Sequence, residues 1–287
     1  MDRPTASPKA LRSGKSPGGR STRLLPTYQL GGRWQMAIDA WLLERGEPAL
    51  RFYRWQRPCL SLGRHQRKLQ PRWLALAAAG RIDLVRRPTG GTAVLHGGDL
   101  TYALVWPDPP ADRLQAYGEV CHWLKETFRQ LGQPLHQGRQ PAGLGAASCY
   151  ATSTAADLVH VDGSKRIGSA QLWRQGVLLQ HGSIQLSPDG SLWKELFGAE
   201  MPSLPALSCS AAELETVLLS QAERLLPLPP TQRHPLRAGE LASIAGCLAD
   251  HGVMAVEGGS SLAGAGPATS PEASMPRTTW GRARPRG

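Results

Sequence analysis

The sequence predicts an α+β fold, a mixed or antiparallel sheet flanked by helices, set between two tails without a core of their own. Three observations predict it. Strand-like segments come in adjacent runs instead of alternating strictly with helices. Apolar residues make up 41% of the 287, enough for a substantial core. Residues 1–25 and 258–287 are rich in Pro, Gly, Ser and Arg and poor in large apolar groups. They cannot bury enough surface to offset the entropy of ordering, so both are expected to be disordered tails around one domain, 26–257.

Taken in order, Met36, Ile38, Ala40, Leu42 and Leu43 around Asp39 and Glu44 predict a helix over 34–45. Residues 51–55 and 59–62 read as short strands separated by Pro58, which cannot donate in a central ladder. A short helix over 71–79 has Pro at its start and Gly80 at its end. Strands follow over 82–86, 92–96 and 101–106. The longest helix is expected over 112–131, with Leu114, Val120, Cys121, Leu124 and Phe128 on one face. Strands 158–161, 166–173 and 177–186 come next, with Arg174-Gln175-Gly176 as a hairpin turn. Ser210 with Glu213 makes a capping-box signature for a helix to about Leu226, and a last helix runs over 238–251.

The net charge of +11 suggests nucleic acid until it is located. Residues 1–25 carry six Lys/Arg against one acid, and 258–287 carry four Arg against one Glu. The folded part is close to ordinary, which argues against a DNA-binding domain. No run of 18 apolar residues predicts a membrane span, and no secretory signal stands in the first 25 residues. That stretch is Ser/Arg-rich and acid-poor like a transit peptide, but it has no clear amphipathic stripe, so a cytoplasmic protein is expected. The five cysteines are widely spaced without a C-x-x-C pair, so neither a zinc site nor a disulfide framework is indicated.

Four segments carry candidate chemistry. Arg86-Arg87-Pro88-Thr89-Gly90-Gly91-Thr92-Ala93-Val94-Leu95-His96 leads two cations into a Gly-Gly turn and a strand ending in His. Adjacent glycines allow close backbone approach to a ligand; a plain hairpin turn would read the same. Asp162-Gly163-Ser164-Lys165-Arg166-Ile167-Gly168-Ser169-Ala170-Gln171 presents a lysine at a strand mouth, where it could polarise a carbonyl or steady a thiolate; a solvated turn lysine is the commoner case. Gln180-His181-Gly182-Ser183 lies within an apolar strand, where a hydrogen-bonded core histidine is commoner than a catalyst. Gly145-Ala146-Ala147-Ser148-Cys149-Tyr150 puts a thiol on a Gly/Ala/Ser-rich loop, accessible where Cys121 is not. On composition alone, an inert loop cysteine is the better reading of it.

The order of these motifs resembles the lipoate/biotin protein-ligase catalytic domain. It runs from Arg-Arg-x-x-Gly-Gly-x-Ala-Val-x-His through Leu100-Thr101-Tyr102, Asp-Gly-x-Lys and Gly168-Ser169-Ala170-Gln171 to Gln180-His181-Gly182. Met36-Ala37-Ile38-Asp39 and Ser61-Leu62-Gly63-Arg64-His65-Gln66 fit upstream. Within this superfamily, Cys149-Tyr150 sixteen residues before Lys165 is similar to the LipM-type octanoyltransferases. Three positions depart from that pattern: Gly97 follows His96 where Asp is usual, Arg166 replaces an apolar residue, and Tyr150 replaces Phe.

The resemblance implies a class II synthetase-like fold and transfer of an octanoyl or lipoyl group through a Cys149 thioester, assisted by Lys165. Arg87, Gly90, Gly91, Thr92, His96, Gly168, Ser169, Ala170 and Gln171 would bind substrate. It implies acyl carrier protein as donor and, as acceptor, a lipoyl domain such as the glycine-cleavage H protein or a dehydrogenase E2 subunit. No cofactor, metal, nucleic acid or membrane is expected, and a monomer is. A basic rim of Arg86, Arg87 and Lys165 would steer acidic partners. The alternatives are an ATP- and Mg-dependent lipoate ligase, and an inactive member that only binds lipoyl-domain or acyl carrier proteins.

Overall fold

The structure, a computed structural model, describes residues 21–138 and 157–253. Cys149, most of the amino-terminal tail and all of the carboxy-terminal tail lie outside the described residues.

The elements are β1 (Thr22–Leu24), β2 (Tyr28–Leu30), α1 (Gly32–Arg45), β3 (Ala49–Trp55), β4 (Cys59–Leu62), α2 (Pro71–Ala78), β5 (Asp83–Arg86), β6 (Val94–His96), β7 (Asp99–Pro107), α3 (Arg113–Gln130), β8 (His136–Gln137), β9 (Asp157–Val159), β10 (Lys165–Arg174), β11 (Val177–Gln185), α4 (Gly190–Phe197), α5 (Ala211–Leu225), β12 (Thr231–Arg233), α6 (Ala238–Gly246) and a 3-10 turn at Leu248–His251. Among the described residues a nine-stranded mixed sheet has the order β12-β1-β3-β7-β11-β10-β9-β8, with β2 also on β3. Its centre, β3 through β9, is antiparallel, while β1, β2 and β12 join in parallel. A second sheet, β5-β4-β6, carries the Gly-Gly segment.

Pleating of β7 and β11 sends alternate residues to opposite faces. Leu100, Tyr102, Leu104 and Trp106 pack with Val120, Leu124 and Phe128 of α3 and Leu214 and Leu218 of α5. Ala103, Val105 and Leu179 pack with Ile38 and Leu42 of α1. A third core holds the small sheet against α2 and α4 through Leu60, Leu62, Trp73 and Trp193.

The expected helices and long strands are present, with ends that agree within two residues, except that the last helix ends at Gly246 before the 3-10 turn. The β10–β11 hairpin turns at Gln175 and Gly176, both at positive φ, the geometry a two-residue connection needs. Ser210 and Glu213 form the expected capping box.

One boundary is corrected. Residues 22–24, assigned from composition to the amino-terminal tail, form β1, parallel to both β12 and β3, with Leu24 and Leu25 buried. A three-residue strand carries no periodic signal, and its partner β12 lies two hundred residues away in sequence.

Candidate active site

The Gly90-Gly91 turn is held from three sides. Arg87 donates through Nε and Nη2 to Gly90 O, through Nη2 to Thr92 O at 2.8 Å, and through Nη1 to Ser61 O at 2.9 Å. Its side chain thereby ties the turn's carbonyls to β4. Gly63 approaches so closely that a Cβ there would lie 1.8 Å from Gly91 O, and Arg64 N donates to Thr89 O at 2.8 Å. Only glycine permits this contact. Gly91 itself sits at φ +97°, outside the comfortable range of L side chains.

Two buried hydroxyl–imidazole–carboxylate chains anchor the same turn. In the first, Asp39 of α1 accepts from Arg51 Nε at 2.9 Å, Tyr53 OH at 3.0 Å and His181 Nδ1 at 2.7 Å. Burial pushes the Asp39 carboxyl up, but Arg51 and His181 outweigh it and hold the carboxyl below its ordinary range. An ionised carboxylate only accepts, so Nδ1 of His181 carries the proton. Nε2 then faces Thr89 Oγ1 at 2.6 Å, the residue just before Gly90.

In the second chain, His96 at the end of β6 stacks on Trp55 with ring centroids 4.1 Å apart. Its Nδ1 meets Asp99 Oδ2 at 2.8 Å, and its Nε2 meets Ser61 Oγ at 2.8 Å. Asp99 also accepts from Gly97 N, Thr101 Oγ1 and Ser183 Oγ. Burial again opposes ionisation, yet His96 and these donors hold Asp99 below its ordinary value. The carboxylate that meets His96 thus comes from Asp99, three residues on. Both chains have the bonding order of a nucleophile triad, but Ser61 and Thr89 are buried. Their role is to fix the turn.

Across the sheet, Lys165 opens β10. It is buried and paired with Asp157 at 2.8 Å, one residue beyond the segment that contains Cys149. It lines a cavity of about 20 Å³ with Gln185, Trp193, Met201 and Leu204. Gln185 Nε2 donates to Ser183 Oγ, which bonds Asp99, so the lysine cavity and the His96 chain share one polar line. Buried Arg166 holds the cavity wall: it donates to His160 Nε2 at 2.9 Å, to Gln185 O at 2.6 Å, and to Pro205 O. Burial and the Arg166 charge keep the His160 pKa below its ordinary value, so the imidazole is neutral and able to accept.

The structure brings Arg87, Gly90, Gly91, Thr92 and His96 together. It divides the strip 168–171. Gly168 and Ala170 pair with Ser183 and His181 and share their face of the sheet. Ser169 and Gln171 point the other way, where Ser169 meets Tyr102 OH at 2.8 Å and Gln171 bonds Gln180 and Trp173. The expected basic rim is also corrected: Arg87 and Lys165 are buried, and Arg86 is spent on Gly63 O and Gln66 O. Sequence reasoning gave no site role to Asp39, Asp99, Asp157, Arg51 or Tyr53. Asp39 had a visible signal, a carboxylate inside an apolar helical stripe. Among the described residues no three His, Cys, Asp or Glu side chains converge to hold a metal ion.

Residues 32–204 match the lipoyl protein ligase A/B catalytic domain. The chain belongs to that family. It is 39% identical over 184 residues to the octanoyltransferase LipM of Kyrpidia tusciae, covering 58% of this chain and 66% of that protein. To the octanoyltransferase LipM of an Exiguobacterium species it is 34% identical over 202 residues, covering 63% and 72%. The match thus spans about two thirds of the length of these relatives. The fold is shared with protein Ta0514 of T. acidophilum with bound lipoic acid, at TM-score 0.68, 20% identity and coverage of 80% and 95%. It is shared equally with a lipoate-protein ligase A bound with ATP, at TM-score 0.66, 20% identity and coverage of 80% and 94%.

Proposed function

We propose that the chain is an acyltransferase of protein lipoylation, moving an octanoyl-type group from an acyl carrier protein, through a thioester on Cys149, to a lysine of a lipoyl domain. The observation that carries this reading is the 34–40% identity to octanoyltransferases. The thiolate of Cys149 adds to the donor thioester carbonyl, and the carrier's sulfur leaves with the proton that Cys149 gave up. The acceptor ε-amine then adds to the new thioester, the C–S bond breaks, and the amine's proton returns to the Cys149 sulfur. Each step exchanges one acyl bond for another, so no nucleotide is consumed.

Three of the other thiols are poor nucleophiles. Burial raises the thiols of Cys59 and Cys209, and pushes Cys121 up to about 12. Lys165, fixed by Asp157 in a small cavity, supplies a positive charge that favours a thiolate and a developing oxyanion. Gly90, Gly91, Thr92, Gly168 and Ala170 line the acyl site, and Arg87 and His96 hold its turn in place.

The test is intact-protein mass spectrometry after incubation with octanoyl-acyl carrier protein and no ATP. The wild type gains an octanoyl mass that hydroxylamine removes and an H protein accepts, while Cys149→Ser gains none. No adduct on either protein, with acceptor labelling only when lipoate and ATP are supplied, would make the chain a ligase instead.

A further inference from the structure

The loop that leans on the Gly-Gly turn carries a set of cations with nothing to balance them. Between Glu47 and Asp83 the sequence has no acidic residue. At the ends of this stretch the cations are matched, Arg57 with Asp83 and Arg81 with Glu195. In its middle, Arg64, Arg67, Lys68 and Arg72 are exposed, and among the described residues none of the four takes part in an ion pair. Arg51 in the same stretch is paired with Asp39, and outside it Arg23, Arg45, Arg129, Lys165, Arg174 and Lys194 are paired; Arg224 and Arg233, unpaired among the described residues, stand singly on α5 and β12, not in one run of chain.

This loop is not a loose charged fringe. Arg86 grips its backbone at Gly63 O (2.7 Å) and Gln66 O (2.9 Å), Arg64 N reaches Thr89 O, and Gly63 touches Gly91. The backbone over 63–66 is thereby fixed beside the turn, and the charged side chains project from its immediate neighbourhood. Repulsion among unpaired like charges has a cost that a partner of opposite charge would remove.

We infer that the loop carrying Arg64, Arg67 and Lys68, with Arg72 at the start of α2, is the docking surface for the acyl donor, an acidic carrier protein that presents its thioester on a phosphate-bearing arm. This rests on the acyl-transfer reading above and names its partner surface. The donor is favoured over the acceptor on charge: an acceptor must bring an ammonium to the turn, which this loop repels, whereas an acidic carrier face and a phosphodiester arm are both attracted.

The experiment compares the full chain with Arg67→Glu/Lys68→Glu and with Arg224→Glu/Arg233→Glu, an equal charge change on α5 and β12. Fluorescence anisotropy with labelled acyl carrier protein reads docking without turnover. The loop variant is expected to weaken donor binding at least tenfold and to flatten its salt dependence, because exposed charges are screened beyond about 8 Å at physiological salt. The control variant, binding of a lipoyl-domain acceptor, and Cys149 acylation by a small octanoyl thioester are expected to stay within twofold. Unchanged donor affinity would overturn the inference. So would a loss confined to the acceptor, or one seen only with a labelled DNA duplex. A wild type that binds the carrier through this loop but takes no acyl group from any donor would refute the transfer reading and leave the docking surface standing.

Discussion

Asp39→Asn is the most informative single change in the buried network. The carboxylate takes three donors, Arg51 Nε, Tyr53 OH and His181 Nδ1, and both Asp39 and Arg51 are fully buried. The amide keeps the shape but offers one oxygen for three donors. Tyr53 can turn its hydroxyl round to accept, and His181 can change tautomer. Nothing replaces the charge opposite Arg51, whose Nη1 already lacks a hydrogen-bond partner. Breaking one side of a buried pair costs about 3–5 kcal/mol. For a domain of this size each kcal/mol shifts Tm by roughly 2–4 °C, so a fall of about 6–20 °C is expected in thermal unfolding followed by circular dichroism at pH 7. The double variant Asp39→Asn/Arg51→Met removes the stranded charge and should recover most of the loss. The pH dependence has a definite sign. The folded carboxyl titrates below its unfolded value, so its contribution is complete above the unfolded pKa and lost as pH falls through the folded one. The gap between wild type and Asp39→Asn should therefore be constant near neutrality and narrow below about pH 4. A single variant within 2 °C of wild type, or a double variant no better than the single, would refute the reasoning.

Two further perturbations probe the parts that hold the turn and the lysine cavity. Thr89→Val leaves His181 Nε2 without its partner, costing about 1–3 kcal/mol, and lets the Gly90-Gly91 turn shift. Acyl transfer should fall on the order of tenfold to a hundredfold with Thr89→Ser close to wild type; equal rates for Val and Ser would remove Thr89 from the site. His160 has a depressed folded pKa, so its contribution is complete above the unfolded value near 6.5 and lost as pH falls through the folded value. Chemical denaturation should show stability dropping as pH falls below about 6, with His160→Gln, which can still accept from Arg166, removing that drop; a slope unchanged in His160→Gln would place the titration elsewhere.

What was legible in the sequence is what local rules encode. The β10–β11 turn needs positive φ at Gln175 and Gly176, the capping box needs Ser210 and Glu213, and α2 begins on Pro71. Each signal lies within four residues. The helix α4 carries such signals too, Asp189 capping its start and Gly198 in the left-handed conformation at its end, on a segment too short to show a period. The short strands β1, β2, β8 and β12 lack what made the equally short β6 and β9 legible, a β-branched or apolar run continuing past the paired residues; Thr22 of β1 takes its register from Thr231, far along the chain.

The site divides in the same way. Arg87, Gly90, Gly91 and His96 were legible because a turn and its clamp are local. Asp39 and His181 are 142 residues apart, and His181 and Thr89 are 92 apart, so no spacing rule joins them. Packing of α1 against both β11 and the small sheet's β5 brings them together. For His181 the choice between a core histidine and a functional one then dissolves. It is buried and fully hydrogen-bonded, as a core histidine should be, and its last bond falls on the residue before Gly90. The sheet's core and the Gly90-Gly91 turn are thus one hydrogen-bonded structure. A change in the core at Asp39 must reach the Gly-Gly turn through two bonds, at 2.7 and 2.6 Å.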